Sequence, residues 1–356
     1  MGDFRSFRRA KREPARPMQH VVDPADWSPE TLLDISNWSY HITGADIAEL
    51  NSGIAAVKRK GIPPEDIQQS DFPLEGFGNV LRDVRHELTD GRGIVMLRGF
   101  PSHLLTREEQ VIAFLGLGTH LGDLKSQNKY GHILGHVKDL GGSYSDPHTR
   151  GYMTNEEMRF HSDACDYVGL LCLQTAKAGG ASRVASSVTV YNRMLENRPD
   201  LAKLLTEDLY RSRVGEVNPG ELPYFKQPIF CFHEGYFSAA GLGAAIDKAQ
   251  DIPGVPKLTE AQKDAIALYR QTVEECALDI DFRQGDIQFL NNFVMLHTRR
   301  EYRDWPEDAR KRHLLRLWLS DADGRPIPRD HREGRGGKGV ELAGVKLNVP
   351  LDVYAI

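Results

Sequence analysis

The segment 312–319 constrains the fold more than any other part of this chain. In a strand, alternate side chains lie on opposite faces, so the two arginines of this segment share one face. That face has Arg312, Leu314, Arg316 and Trp318, and the other has His313, Leu315, Leu317 and Leu319. Because both faces are largely apolar, the segment predicts a strand buried between two layers. A guanidinium there needs an anion, since arginine keeps its charge when buried. That anion is either an internal carboxylate, such as Asp286 or Glu301, or a bound acid.

Other apolar segments predict further strands around this one. They are short and rich in large apolar residues: 93–100, 168–176, 209–214, 229–232, 287–290 and 294–297. Helical spacing predicts helices beginning near Thr43, Thr106 and Thr259, with others over 80–88 and 191–205. We expect residues 24–61 to pack on the outside of the core. The chain shows no fixed-period repeat, which argues against solenoids and propellers.

Composition limits the kind of partner. The 45 Lys and Arg residues against 50 Asp and Glu give a formal charge of -5, so no overall cationic field attracts nucleic acid or an anionic membrane surface. A small-molecule partner is expected. The four cysteines form no framework or C-x-x-C pair, and no apolar run has the length of a membrane helix, so a cytoplasmic location is expected. The Arg-rich segment 1–17 is interpreted as a disordered basic tail.

The strongest local chemical motif is Phe160-His161-Ser162-Asp163. A His and a carboxylate two positions apart on an extended strand project to the same side and can share one cation. The alternative is a surface turn. His297 follows a second strand signal, Gly285 to Asn292 and Val294 to Leu296, and its alternative role is a core histidine satisfied by Asn291 or Asn292. Two His and one carboxylate make a facial triad, the ligand set of non-haem iron(II) oxygenases.

The pattern as a whole resembles the taurine dioxygenase and clavaminate synthase-like (TauD/TfdA) branch of the Fe(II)/2-oxoglutarate-dependent dioxygenases. The resemblance covers about residues 93–320 and rests on F-H-S-D, G-G-A-S, G-D-I-Q-F-L-N-N, L-H-T-R and R-H-L-L-R-L-W-L, in the family's order. His297 precedes Arg312 by 15 positions, close to the family's usual gap. The resemblance implies an enzyme that uses Fe(II), 2-oxoglutarate and O2 to oxidise, by default hydroxylate, a C–H bond of a small organic substrate, releasing succinate and CO2.

The resemblance also implies roles for single residues. His161, Asp163 and His297 look like the iron ligands, and Arg312 corresponds to the arginine that holds the distal carboxylate of 2-oxoglutarate. Ser182 falls where relatives often have a Thr that hydrogen-bonds the same carboxylate. Arg316 corresponds to a second arginine that either supports the co-substrate or reaches an anionic, carboxylate-bearing substrate.

Several polar residues near these motifs are candidates for substrate contact or for a substrate lid, with a solvated loop as the alternative. They are Asp166, Tyr167, Tyr144, His148 and Asn155. Asp163 itself argues against halogenation, since halogenating relatives have a small residue there. A zinc-dependent hydrolase with the same His/Asp/His site and a non-catalytic jelly-roll binding protein are the other two hypotheses.

The fold that fits is α+β with a mainly β core: a double-stranded β-helix, or jelly roll, with helices on one outer face and a helical insertion between the two ligand motifs. We expect an N-terminal tail and helical decoration over 1–75, the catalytic domain over 76–330 and a C-terminal tail over 331–356. Relatives commonly self-associate, which is compatible with a homo-oligomer.

Overall fold

The computed structural model describes residues 11–142, 151–213, 215–334 and 338–353, which form a mixed structure of helices and strands. The helices are α1 (Gly44–Lys60), α2 (Gly76–Asp90), α3 (Arg107–Thr119), α4 (Ser187–Asn197), α5 (Pro199–Leu204), α6 (Ala245–Ala249), α7 (Glu260–Glu275) and α8 (Arg329–Gly334). The strands are β1 (Ser39–His41), β2 (Ile94–Arg98), β3 (Asp123–Leu124), β4 (Leu134–Val137), β5 (Tyr167–Gln174), β6 (Ala178–Gly179), β7 (Ser182–Ser186), β8 (Leu209–Ser212), β9 (Tyr224–Gln227), β10 (Phe230–His233), β11 (Tyr236–Ala239), β12 (Leu278–Ile280), β13 (Ile287–Asn291), β14 (Met295–Arg299), β15 (Tyr302–Arg303) and β16 (His313–Ser320).

Three of the described helices, α1, α3 and α7, have threonine N-caps and begin where the sequence predicts. Thr43, Thr106 and Thr259 each accept a hydrogen bond from the backbone N–H three residues on, and an acidic or Gln side chain at that third position bonds back to the cap. This reciprocal arrangement satisfies two otherwise unpaired donors of the first turn. The helix starts were therefore readable from local sequence alone.

The main sheet has seven strands in the order β1-β2-β13-β5-β16-β3, with β4 also paired to β16. β13 runs antiparallel to both β2 and β5, so that Phe289 stands opposite Val95 on one side and Gly169 on the other. A Cβ at Gly169 would lie 2.7 Å from the Phe289 ring. Glycine at this central position therefore makes room for the aromatic ring on the neighbouring strand.

The two faces of the main sheet bury different partners. Val95, Phe289 and Leu317 belong to a core shared with α1, α2 and α3, whereas Met96, Leu290 and Trp318 belong to a core shared with the second sheet. That second sheet has three strands in the order β12-β7-β14. A mixed fold with helices covering one face of a large sheet is confirmed. The strand 313–320 lies between two layers, as its sequence predicts.

The N-terminal region is more deeply integrated than its sequence suggested. β1 pairs with β2, and Trp27, Leu32 and Trp38 are buried in the core next to the second sheet, so residues 24–61 are not packed only on the outside. The prediction of a disordered tail over 1–17 is also wrong for residues 11–17, where Arg12 forms ion pairs with Asp23 and Asp90. Large apolar side chains and a paired arginine hold this segment in place.

Two further segments close the structure around the sheets. The region between β7 and β12 contains α4 to α7 and the hairpins β8-β9 and β10-β11, and it corresponds to the expected helical insertion. Residues 338–353 return to the main sheet, where Asn348 exchanges backbone hydrogen bonds with Gly131 and Ile133. Among the described residues, no helix combines the length and the apolar character needed to span a bilayer.

Candidate metal centre and the surrounding cavity

The backbone brings His161 and His297 together. His297 lies on β14, opposite Val184 of β7, and the free edge of β14 forms an isolated bridge to His161. Two hydrogen bonds make this bridge: His161 N donates to His297 O at 3.0 Å, and His297 N donates to His161 O at 2.9 Å. The two imidazole centroids are 4.4 Å apart. The two side chains are thus positioned by main-chain pairing.

Asp163 is held in the same place by the turn between β13 and β14. Its backbone N–H donates to Asn292 Oδ1 at 3.0 Å, and Asn292 Nδ2 donates to Cys165 O at 3.1 Å. Asn291 Nδ2 donates to Leu88 O instead. Neither asparagine therefore satisfies the His297 ring, which was the alternative role considered for that histidine.

The surroundings of His161 and Asp163 favour the protonation states in which these side chains bind metal. Burial, reinforced by the neighbouring His297, lowers the pKa of His161 to about 4, so that its ring is neutral at physiological pH. Burial alone would raise the pKa of Asp163, but the Arg316 guanidinium and His297 bring it well below its usual range. A neutral imidazole and an ionised carboxylate are the protonation states that a cation requires.

The donor set fits a divalent metal ion. One ligand atom from each of His161, Asp163 and His297 lies within 4.8 Å of the others. His161 Nδ1 is 2.9 Å from Arg159 O, a contact that fixes the tautomer and leaves Nε2 free. Asp163 Oδ2 and His297 Nδ1 are buried without a hydrogen-bond partner. Two imidazole nitrogens and one carboxylate oxygen beside a cavity match the ligand set of non-haem ferrous iron.

Arg312, which immediately precedes β16, is a buried cation with no carboxylate within 4.0 Å among the described residues. Its Nη1 has no hydrogen-bond partner. Asp304 accepts from the backbone N–H of Arg312 at 2.8 Å rather than from the guanidinium, and Asp286 is 3.7 Å from Arg98. The internal partners considered for this arginine are therefore engaged elsewhere or, like the exposed Glu301, solvent-facing.

A second arginine strengthens the positive charge beside Arg312. The ring of Tyr302 lies between the two guanidinium groups, 4.6 Å from Arg299 Cζ and 5.2 Å from Arg312 Cζ. Burial and the repulsion from Arg312 lower the pKa of Arg299 to about 10, and burial lowers that of Arg312. Both remain cationic near neutrality, so this region favours an anion.

Ser182 and Gln288 face each other between the two sheets. Ser182 Oγ lies 3.5 Å from Gln288 Oε1, and Gln288 Nε2 is buried without a partner. Gln288 and Arg316 stand in one row across the main sheet, on either side of Leu170. Leu170 is only partly buried although β5 is a central strand, so solvent reaches this row between the sheets.

Arg316 differs from Arg312 because it already has partners. Its Nη1 is 3.5 Å from Asp163 Oδ1, and its Nε donates to Gln127 Oε1 at 2.7 Å. The guanidinium also lies 5.0 Å from the centroid of the Tyr152 ring. Arg316 thus adjoins the triad directly.

A cavity of about 910 Å³ opens beside the triad. His161, Asp163 and Arg316 line it, together with residues of the helical insertion and of the segment 238–245. Arg312 and Ser182 do not line it. The cavity is therefore the candidate substrate site, and the space between the sheets is the candidate co-substrate site.

The described residues that the sequence suggested as substrate contacts after the first two ligands, and Asn155, do not line the cavity. Tyr167 is fully buried, and its hydroxyl donates to Asp321 Oδ2 at 2.8 Å, so the structure gives it a packing role, and its prediction as a substrate contact is corrected. Asp166 is likewise buried and does not line the cavity. Asn155 also lies outside the lining, and its carbonyl accepts from Tyr302 N. Tyr144 and His148 lie outside the described residues.

Several site residues escaped the sequence analysis. Gln127 accepts a hydrogen bond from Arg316, Arg299 lies beside Arg312, Gln288 faces Ser182, and Asn292 supports Asp163. Each of these roles depends on contacts between distant segments. Gly241 is a further example: its N–H donates to Ser162 Oγ at 2.8 Å, and a Cβ there would lie 2.3 Å from Ser162 N. Only the polar tract G-D-I-Q-F-L-N-N offered a signal for Gln288 and Asn292.

The chain is similar to known proteins along most of its length. Residues 58–318 match the family described as "Taurine catabolism dioxygenase TauD, TfdA family". FR-33289 synthase of Streptomyces rubellomurinus is 32% identical over 317 residues, covering 86% of this chain and 92% of that relative. The taurine hydroxylase-like protein SAT17 of Stachybotrys chartarum is 28% identical over 313 residues, or 84% of this chain and 79% of that protein.

Solved structures share the fold at low identity. Asparagine oxygenase in complex with Fe(II), 2S,3S-3-hydroxyasparagine and succinate has a TM-score of 0.63 at 17% identity, covering 81% of this chain and 98% of that one. The non-haem iron oxygenase OrfP in complex with Fe, succinate and (3S)-hydroxy-L-Arg has a TM-score of 0.61 at 15% identity, covering 85% and 99%. The architecture described above is therefore one that iron oxygenases also adopt.

Proposed function

The chain belongs to the taurine catabolism dioxygenase TauD, TfdA family and is an Fe(II)- and 2-oxoglutarate-dependent oxygenase, and from that premise we propose that His161, Asp163 and His297 hold the iron. The orphaned Asp163 Oδ2, which lies 3.7 Å from His297 Nε2, and the clustering of the ligand atoms support this assignment. Iron bound there supplies the oxidising chemistry, which converts 2-oxoglutarate to succinate and CO2 as the substrate is oxidised.

Arg312 binds the distal carboxylate of 2-oxoglutarate in this proposal. The single observation that carries it is the orphaned Nη1 of a buried arginine that has no acidic partner within the described residues. An arginine fork matches a carboxylate in two parallel hydrogen bonds. Ser182 and the unpartnered Gln288 Nε2 add donors from the facing strands, across the space that Leu170 borders.

Arg316 has a different role, which is to hold Asp163 and the iron-facing end of the co-substrate. Its short distance to Asp163 and its bond to Gln127 support that role over a free substrate anchor. Such a guanidinium keeps the ligand carboxylate ionised and oriented, an effect that outer partners commonly have on metal ligands.

The two sheets correspond to the two layers of a double-stranded β-helix, with the main sheet and the sheet β12-β7-β14 enclosing the site. The contribution of both sheets to the triad and its surroundings supports this interpretation: His297 lies on the second sheet, and Arg316 on the first. Residues 76–330 then form the catalytic domain, and the described parts of the flanking segments, 11–75, 331–334 and 338–353, pack around it.

The substrate is a small organic molecule that enters the 910 Å³ cavity, and hydroxylation of a C–H bond is the proposed outcome. The solved relatives hold 3-hydroxyasparagine and 3-hydroxyarginine beside succinate, which supports a hydroxylase. A zinc hydrolase would use the same triad but has no need of Arg312, and a binding protein has no need of the triad. Neither alternative accounts for both features.

Anaerobic titration of the purified chain with Fe(II) and then 2-oxoglutarate tests the proposal. The wild type should bind one iron per chain and develop a visible metal-to-ligand charge-transfer band when 2-oxoglutarate is added. His297→Ala should lose stoichiometric iron and the band. His103→Ala, which removes an exposed histidine outside the site, should behave as wild type.

Two results would contradict the proposal. A wild-type chain that binds iron but shows no band on adding 2-oxoglutarate would exclude the co-substrate assignment. Full iron binding by His297→Ala would exclude the ligand assignment.

A further inference from the structure

Arg211, on β8 in the helical insertion, is another buried arginine without an acidic partner among the described residues. It is 4% exposed and lines the cavity beside the triad. Three backbone carbonyls accept from its guanidinium: Gly241 O at 2.9 Å, Ala240 O at 3.3 Å and Gln227 O at 3.4 Å. Because arginine has five N–H donors, two remain for a ligand. No carboxylate of the described residues lies within 4.0 Å of it, although burial of an uncompensated charge is costly.

The lining around Arg211 has an excess of positive charge. Its five Lys and Arg residues, Lys129, Arg159, Arg211, Lys248 and Arg316, face two carboxylates, Asp163 and Glu216. Arg159 is paired with Asp247 at 2.7 Å, and Arg316 with Asp163 at 3.5 Å. Burial lowers the pKa of Arg211 to about 10, which leaves it cationic at neutral pH. This excess of cationic side chains makes the cavity suited to an anion.

Arg211 lies close to the iron ligands through one residue. The carbonyl of Gly241 accepts from Arg211, while the N–H of Gly241 donates to Ser162 Oγ, between the two ligands of the H-x-D motif. A Cβ on Gly241 would lie 3.0 Å from His161 Cα. An anion on Arg211 would therefore lie in the same cavity that the His161 and Asp163 side chains line.

We propose that the substrate is a small anion whose charged group is bound by Arg211 from the helical insertion. This inference rests on the proposed iron and 2-oxoglutarate sites, which leave the cavity to the substrate. Arg312, Arg316 and Arg211 then have separate roles, since Arg312 binds the co-substrate, Arg316 supports Asp163, and Arg211 selects the substrate. Carboxylate, sulfonate and phosphonate groups all have the chemistry that a guanidinium fork recognises.

A matched pair of probes tests the inference on the holoenzyme. The anaerobic Fe(II) enzyme, saturated with 2-oxoglutarate so that the Arg312 site is filled, is titrated calorimetrically with hexanoate and with hexanamide, its neutral isostere. We expect wild type to bind hexanoate at least tenfold more tightly than hexanamide. Arg211→Gln should abolish that preference, and Arg211→Lys, which keeps the charge, should retain part of it. Arg198→Gln, which removes an exposed arginine outside the cavity, should retain all of it.

Each outcome decides the question. Equal binding of the two probes by wild type overturns the inference without any variant, and so does an undiminished preference in Arg211→Gln. The charge-transfer band of the same samples shows whether the iron and 2-oxoglutarate sites are occupied. If the band is normal and Arg211→Gln keeps the full preference for hexanoate, the inference about Arg211 is refuted and the proposed function stands. Absence of the band in wild type refutes the proposed function instead.

Discussion

Arg312 immediately precedes the buried strand β16 and Arg316 lies within it, four positions further on, yet their surroundings are opposite. Arg316 has Asp163 at 3.5 Å and Gln127 at 2.7 Å, whereas Arg312 has an unpartnered Nη1 and no acid within 4.0 Å among the described residues. Arg316 has its counter-ion within the protein, whereas in our proposal the counter-ion of Arg312 is the co-substrate. The difference teaches that a buried charge marks a binding site only when the fold supplies no counter-ion.

The largest expected effect comes from removing the counter-ion that distinguishes Arg316 from Arg312. Asp163→Ala removes one of the three proposed iron ligands together with the counter-ion of Arg316. Changes to outer partners of metal ligands already cost ten- to a hundredfold in metal affinity, so loss of a ligand should lower Fe(II) affinity by more than about a hundredfold. Equilibrium dialysis of iron measures this. Affinity within about threefold of wild type would show that Asp163 is no ligand.

The next prediction concerns a substitution beside the proposed iron ligands only. Gly241→Ala sets a Cβ against the backbone of Ser162, at 2.3 Å in the present geometry, and the segments must separate. Overpacking of this kind costs about 1–3 kcal/mol, so urea unfolding should show that loss, with weaker iron binding. Gly44→Ala is the matched control, since nothing lies within 4 Å of its Cβ position. Equal stability of the two variants would contradict the account.

These contacts show what could be read from the sequence. The H-x-D motif, His297, Arg312 and the doubly buried strand were visible as local patterns, and the helix starts followed from capping chemistry. The period-two pattern treated Arg312 and Arg316 as equivalent. It could not reveal that Asp163 approaches only one of them, or that the register shifts between His313 and Leu314, because both depend on which strands become neighbours.

The same limit explains the substrate residues. Tyr167 follows the H-x-D motif closely and seemed suited to a lid, but the strand β5 turns its side chain into the helix-covered core. Arg211 was only part of a predicted strand, and its position beside Gly241 comes from the packing of the insertion. Sequence proximity to a ligand is therefore a weak guide to contact with the substrate.

A smaller effect should be confined to the co-substrate end. Gln288→Leu removes the unpartnered Nε2 that faces the proposed carboxylate. Loss of one hydrogen bond of about 1 kcal/mol predicts about fivefold weaker 2-oxoglutarate binding, with iron affinity unchanged. The charge-transfer band measured against co-substrate concentration gives both values. An unchanged 2-oxoglutarate affinity would remove Gln288 from the site.

A further effect, on folding rather than on binding, concerns acid stability next to Arg312. His136 and His313 are buried, 2.8 Å apart through Nδ1 and Nε2, and His136 Nε2 donates to Pro350 O. Burial lowers the pKa of both, that of His313 to about 2. Their folded-state pKa values lie below the unfolded value of 6.5, so the stability they confer is present above pH 6.5 and is lost as the pH falls below it.

Urea unfolding at pH 7.5 and 5.5 measures this contribution. We expect the titration of His313 to cost wild type about 1 kcal/mol over that interval, and His313→Gln to lose correspondingly less. His103→Gln, an exposed control, should follow wild type. Identical losses in His313→Gln and wild type would show that the pair does not titrate on unfolding.

The most direct test of the contrast between the two arginines is the affinity of the Fe(II) enzyme for 2-oxoglutarate in Arg312→Gln and in Arg316→Gln, measured from the anaerobic charge-transfer band. Truncating one member of a buried charged pair costs about 2–5 kcal/mol, so Arg312→Gln should weaken binding by about thirtyfold or more. Arg316→Gln should weaken it less, with its main effect on iron retention. Unchanged affinity in Arg312→Gln, or a larger loss in Arg316→Gln, would contradict the account.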